Sequence, residues 1–405
     1  MPRPAFHAAS MDLDVDVLVV GAGPTGSMAS KYAALGGART LMIEKRQEIG
    51  TPVRCGEGVG KHWLAEAGVP ESRAFIAHEV TRSRVFSPDG TCISFDSLGA
   101  GKSGYVVERD LFDRFLAKDA AKAGAEIRIK TSATELLRED RRIVGARCQH
   151  MAESFDVRAT VVIGADGFES QVGRWAGLTT RLRMRDVVSC LQYTLAGVDI
   201  DKDTFDFHLG TQAPGGYAWV FSKGDDLANV GIGACLAKLH DRAEVKAYLD
   251  AFIARHPELA RGEVIEEVAG GVSASLPVTK SVTSGLMLAG DAARLIDPIS
   301  GAGILNGLLS GRWAGEAAAA AVQSNDPSES ALLTYERRWR TRMEEELARH
   351  YLIKEGLQKT DDASMNRIVR AVAESGIKDI SAKAIVQVVL ERCPDALQGF
   401  KGLLV

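Results

Sequence analysis

Near the start of the chain, the β-branched run Val15–Val20 (VDVLVV) ends in GAGPTG and passes directly into a helical stretch at Ser27–Leu35. This feature narrows the possible folds more than any other. Gly21, Gly23 and Gly26 form GxGxxG at a strand-to-helix corner, with glycines for the tight turn, for close backbone approach to a pyrophosphate, and for packing helix on strand. Pro24 and Thr25 open the helix, whose free N–H groups and partial positive charge favour phosphate. Arg39–Glu44 (RTLMIE) reads as the next buried strand, which completes a βαβ unit. Glu44 ends that strand 18 residues beyond Gly26, where a carboxylate accepts from ribose hydroxyls, with Lys45 beside it. The chain is therefore expected to bind a dinucleotide.

A second corner lies late in the chain. Leu286–Ala289 reads as a buried strand ending in Gly290-Asp291, followed by Pro298 and by Gly301-Ala302-Gly303-Ile304 at the head of a helix over roughly Gly303–Val322. A carboxylate at a strand end suits a ribityl hydroxyl. A helix N-terminus suits the negative charge of a reduced flavin ring. Nicotinamide dehydrogenases need no such late corner, so FAD is the expected cofactor. A third corner, Asp166-Gly167, follows the strand Val157–Ile163 and is expected to bind the cofactor, although Asp-Gly after a strand is by itself only a turn signal.

In this order GAGPTG, Asp166-Gly167 and GDAARLIDPISGAG resemble the FAD-binding superfamily of aromatic hydroxylases and their relatives. PVRCGEGV at Pro52–Val59, YVVERDLFDRFL at Tyr105–Leu116 and YAWVFSKGDDLANVGIG at Tyr217–Gly233 resemble, within it, the geranylgeranyl reductase family. The resemblance runs from about Asp14 to Val322. It departs at Ser222, where that family usually carries proline. It implies that Arg109 meets the cofactor and that the loop Arg54-Cys55-Gly56, continuing through Gly58, lies against the flavin ring. It also implies that Tyr217, Trp219 and Phe221, which share one face of a strand, flank an apolar tunnel for isoprenoid chains. From the residues alone that aromatic row equally suits a sheet core. Cys55, next to Arg54, is expected to line the site and is a candidate proton donor; Lys223 reads as a solvated turn lysine.

The expected fold is α/β: a Rossmann-like FAD-binding domain in three pieces (13–75, 105–185, 276–325), an interleaved antiparallel substrate-binding sheet (76–104 and 186–275), a helical C-terminal region (326–405) and a flexible tail (1–12). A chain of 405 residues with 46% apolar composition has ample core for two or three such units. The net charge of -4 gives no basic field for nucleic acid. The six cysteines are scattered without a CxxC pair, which argues against a metal site or disulfide framework and suits a reducing cytoplasm. No apolar run approaches the ~18–20 residues of a membrane span, so any membrane contact is expected to be peripheral.

The function implied is saturation of carbon–carbon double bonds in geranylgeranyl or polyprenyl chains of an isoprenoid lipid or prenyl diphosphate. A flavin-dependent aromatic monooxygenase and a non-catalytic prenyl carrier are the alternatives. No second GxGxxG marks an NADPH domain, so the electron donor stays open among NADPH, ferredoxin and deazaflavin.

Overall fold

The computed structural model describes residues 12–96, 104–241, 243–377 and 382–396; most of the expected N-terminal tail and the last nine residues lie outside that range. The nucleotide corner sits on an eight-stranded sheet. Its parallel strands run in the order Leu286–Leu288, Glu153–Gly164, Leu13–Val20, Thr40–Ile43 and Glu126–Arg128, and an antiparallel hairpin, Thr131–Glu139 with Arg142–His150, is attached to Glu153–Gly164. Val17, Leu18 and Val19 have no solvent exposure, as a parallel strand covered on both faces requires. Helix Pro24–Leu35 and helix Ile304–Gln323 pack together on this sheet. The contact is close because a Cβ at Gly311 would lie 2.2 Å from the Thr25 carbonyl, and one at Gly315 would lie 2.3 Å from that of Ala29. This contact holds both helix N-termini at one end of the sheet.

The second sheet has seven strands in the order Glu263–Ser273, Val187–Ala196, Leu227–Cys235, Tyr217–Gly224, Thr204–His208, Arg82–Phe86 and Cys92–Asp96. All neighbours are antiparallel except Thr204–His208 with Arg82–Phe86. Helix Glu244–Ala254 covers one face with Leu249 and Phe252; the other face is turned toward the cofactor corner. Arg82–Phe86 and Cys92–Asp96 form a hairpin around Pro88-Asp89-Gly90.

Two expectations change. The loop expected to run from Arg54 through Gly58 ends before Gly58, since Gly58–Gly60 pairs with Gly104–Val107, which also pairs with Ile76–Val80, in a small sheet of its own. The C-terminal helices are not a separate tail at their start. Leu332, Tyr335, Trp339, Met343 and Leu347 join the core of the nucleotide sheet. The Tyr335 hydroxyl donates to the Leu288 carbonyl at 2.7 Å, and Glu336 accepts the Ser281 N–H at 2.7 Å.

Candidate functional site

Gly23 caps helix Pro24–Leu35 with an ordinary extended backbone (φ -72°, ψ -173°) and no side-chain cap. The first-turn N–H groups thus have no side-chain partner of their own. A Cβ on Gly26 would fall 1.8 Å from the Gly21 carbonyl, whereas one on Gly23 would meet no protein atom within 4 Å. Gly26 therefore serves helix–strand packing, and Gly23 keeps open space beyond the protein surface. Glu44 is braced beside this turn: Oε2 accepts the Ala22 N–H and Oε1 the Arg46 N–H, both at 3.0 Å. A carboxylate has about four lone-pair sites, so each oxygen keeps acceptor capacity.

From Gly23, Pro24 and Thr25 a cavity of about 690 Å³ runs to the seven-stranded sheet. Arg54, Cys55, Gly56 and Gly58 line it from the loop, Gly167 from the third corner, and Asp291, Gly301, Ala302, Gly303 and Ile304 from the late corner. Tyr217, Trp219 and Phe221 line its far part. Gly21, Gly26, Glu44, Lys45, Asp166, Gly290 and Pro298 are not among its lining residues.

The Asp291 carboxylate stands in this wall, and no protein donor reaches it among the described residues. Burial pushes it up to about 6, opposed by the charge of Arg109. A carboxylate removed from water without a donor is costly, and this one faces a space in which a ligand hydroxyl would supply one. Arg109 is forked onto Asp113, Nε to Oδ1 at 3.0 Å and Nη2 to Oδ2 at 3.2 Å. Burial works against its charge, but Asp113 and Cys55 together raise its pKa above the usual arginine range. The late loop is pinned by Asp297, whose Oδ1 accepts the N–H groups of Ile299 and Ser300 at 3.0 and 2.8 Å and whose Oδ2 pairs with His350. The Tyr217 hydroxyl donates to the Ser300 carbonyl, tying the sheet to this loop.

Trp219 and Phe221 are buried at 7% and 8% exposure, and their partners in the wall include Phe205 and Phe207 of the next strand. The Phe205 and Phe221 rings meet edge to face at 4.8 Å, as do Phe207 and Phe221 at 5.4 Å. Gly231 lies under the indole, since a Cβ there would sit 2.2 Å from Trp219. Phe205, Phe207, Trp63 and Gln192 also line the cavity and were not among the expected residues. The one available signal was the alternation FDFHLG, which places Phe205 and Phe207 on a common face without saying which face is inside.

Three expectations require correction. The Asp166 carboxylate is spent on its own turn, accepting Ser170 Oγ at 2.8 Å and the Val172 N–H at 3.0 Å, so this corner meets the cavity through Ala165 and Gly167. The Gly290 N–H is taken by Ser310 Oγ at 3.0 Å, and a Cβ there would lie 2.2 Å from Thr25 Oγ1; the residue joins the two helices and does not face the cavity. Lys223 is not solvated. Its side chain is 6% exposed, and Nζ donates to Glu57 and Glu108 at 2.8 Å each.

Residues 16–207 match the family model for FAD dependent oxidoreductases, and residues 186–272 match that for the geranylgeranyl reductase catalytic domain. A digeranylgeranylglycerophospholipid reductase of Thermoplasma acidophilum is 47% identical over 96% of this chain and 99% of its own length. A crystal structure described as a geranylgeranyl bacteriochlorophyll reductase-like protein of the same organism superimposes with a TM-score of 0.93 at 46% identity, covering 97% of this chain and all of the other. The p-nitrophenol 4-monooxygenase of Pseudomonas putida, at 19% identity and a TM-score of 0.74 over 96% of this chain and 99% of its own, shares the fold. This chain belongs to the geranylgeranyl reductase family of FAD-dependent oxidoreductases.

Proposed function

We propose that this protein saturates the double bonds of geranylgeranyl chains carried on a glycerophospholipid, with FAD held between the two glycine–carboxylate corners. The observation that carries this reading is the single cavity joining Gly23–Thr25 and Asp291 to the aromatic row. The residues fit the cofactor: a cradle at Gly23 that a side chain would fill, and a half-buried carboxylate at Asp291 lacking a donor. We assign Gly21, Gly23, Pro24, Thr25, Gly26, Glu44 and Lys45 to its adenosine and phosphate half. Arg54, Cys55, Gly56, Arg109, Gly167, Asp291 and Gly301–Ile304 fall to the flavin half. Residues 13–75, 105–185 and 276–325 then act as the cofactor domain, and the seven-stranded sheet acts as the substrate domain.

Bound and reduced, FAD supplies the hydride. The chain's own contribution is alignment and dryness, since an isolated alkene offers no carbonyl to polarise. Trp219, Phe221, Phe205 and Phe207 provide a rigid apolar wall that holds a prenyl chain at little cost in rotamer entropy. Tyr217 locks this wall to the late loop through Ser300. Cys55 stands where loop and aromatic wall meet, its Sγ accepting the Glu57 N–H at 3.2 Å, and is the candidate proton donor. Cys190, a second thiol in the wall, is pushed up to about 12 by burial.

Reducing equivalents enter from an external donor: a reduced nicotinamide, a deazaflavin or an electron-carrier protein. A lipid substrate brings the protein to a membrane surface from the cytoplasm. No helix among the described residues is long and apolar enough to cross a membrane. The deciding experiment is anaerobic. Flavin reduced with dithionite should be reoxidised by a digeranylgeranyl glycerophospholipid, and the product should gain two hydrogens per bond. Reoxidation that waits for air would overturn the reading.

A further inference from the structure

Glu57 lines the cavity beside Cys55 and Gly56, and its carboxylate belongs to a charge cluster to which the proposed chemistry assigns no role. Glu57, 3% exposed, sits in the left-handed backbone region at φ +69°, a conformation that L side chains adopt only under strain. A glycine would make this turn freely; what a glutamate adds is its carboxylate. That carboxylate takes three donors: the Arg109 N–H on Oε1 at 2.9 Å, and on Oε2 Lys223 Nζ at 2.8 Å and Asn229 Nδ2 at 2.7 Å. Lys223 also reaches Glu108 Oε2 at 2.8 Å.

The donors come from both halves of the molecule. Arg109 begins a helix of the nucleotide-binding half, whereas Lys223 and Asn229 lie on neighbouring strands of the seven-stranded sheet. The turn they clamp presents the Glu57 N–H to Cys55 Sγ at 3.2 Å, and the Glu57 carbonyl accepts the Val107 N–H at 2.9 Å. Gln192 Nε2 holds the Cys55 carbonyl at 3.3 Å.

We propose that Glu57 is a positioning residue, whose carboxylate, clamped by Lys223 and Asn229, fixes the reverse turn that sets Cys55 and the Gly56 backbone in the cavity wall. A buried ion pair has little to offer stability by itself. Here it bolts the thiol-bearing loop to the substrate sheet, so that loop and aromatic wall keep one relative placement. Small misplacements at a reacting centre cost about a hundredfold in rate, which gives such a bolt catalytic value.

The test uses the flavin-loaded enzyme and the variants Glu57→Gln, Glu57→Gly, Lys223→Met and the double variant Glu57→Gln/Lys223→Met. One readout is the rate of N-ethylmaleimide labelling at Cys55, resolved by peptide mass and referred to Cys393, far from the site. The other is the split between kcat and KM for the lipid. Each variant should change the Cys55 rate by about fivefold or more and lower kcat about tenfold or more, with KM within about threefold, the pattern of lost alignment and not of lost binding. The double variant should recover the melting temperature lost by Lys223→Met, because no buried charge is left unpaired and Glu108, 39% exposed, keeps its water, yet recover neither labelling nor kcat. A Glu57→Gly enzyme with wild-type labelling and kcat would overturn the proposal, since the turn alone would then suffice. If Glu57→Gly fails to retain flavin, the shape-preserving Glu57→Gln decides by the same two readouts. The kcat arm rests on the reductase reading, but labelling does not. A wild-type enzyme inactive on the lipid would sink that reading alone and leave the labelling result to judge Glu57.

Discussion

Trp219 Nε1 donates to Gln192 Oε1 at 2.9 Å, and Gln192 Nε2 reaches the Cys55 carbonyl at 3.3 Å. The aromatic wall and the thiol-bearing loop are thus linked through one amide. Trp219→Ala removes both the wall and this link. It should lower kcat/KM for geranylgeranyl chains about tenfold or more while flavin content stays at one per chain, at a stability cost of about 3 kcal/mol for a truncated buried aromatic. Steady-state kinetics with long and short prenyl substrates checks this. Equal losses on both would return Trp219 to a purely structural role.

Gly23 and Gly26 separate binding from folding. Gly23→Val should abolish the yellow colour at a stability cost of only about 1 kcal/mol, that of a poorer N-cap residue, because its Cβ meets no protein atom within 4 Å. Gly26→Ala should lower the melting temperature, because its Cβ would fall 1.8 Å from a carbonyl. Flavin absorbance and thermal melts distinguish the two. A Gly23→Val protein that keeps full flavin would refute the phosphate placement.

Asp291→Asn should weaken FAD binding by about 1.5–3 kcal/mol, the range for a hydrogen bond to a charged group, read by fluorescence titration. The flavin-free protein adds a pH signature. Burial raises Asp291 from 3.8 to about 6, so the folded state favours its protonated form. That contribution to stability is complete below about 3.8 and is lost as pH rises through about 6. The asparagine variant should therefore gain on wild type between about pH 4 and 7, seen as a narrowing or reversed gap in melting temperature. A pH-independent gap would show that the carboxyl is not desolvated.

His350, paired with Asp297, gives a slope of the same sign at higher pH. The Asp297 carboxylate raises His350 above 6.5 against the effect of burial. The pair's stabilisation is therefore present below about 6.5 and fades as pH rises through the elevated histidine value. On the acid side, burial of Asp297 is outweighed by His350 and the Ser300 donors, which hold it below 3.8; its part is lost only as pH falls through that depressed value. His350→Gln should destabilise more near pH 6 than near about pH 9, by about 1 kcal/mol. Equal losses at both pH values would remove the ion pair from the account.

Features encoded by neighbouring residues could be read before any coordinates. The corner Gly21–Gly26 with Glu44, the late corner at Asp291 and the helix beginning near Gly303 each depend on a strand, a turn and a helix that follow one another, and their local propensities agree. The alternation of Tyr217, Trp219 and Phe221 likewise survives because the strand period is two. What depended on partners far along the chain was misread or missed. Lys223 looked solvated because the carboxylates that bury it lie 166 and 115 residues away. Asp166 was misread over a short span: it was expected to meet the cofactor, but Ser170 and Val172, four and six residues on, occupy its oxygens once the turn closes. Phe205 and Phe207 joined the wall only when antiparallel pairing set them beside Phe221 and Trp219. A side chain's exposure and its spare hydrogen-bonding capacity belong to the packed assembly, and these decided which of the foreseen residues face the cavity.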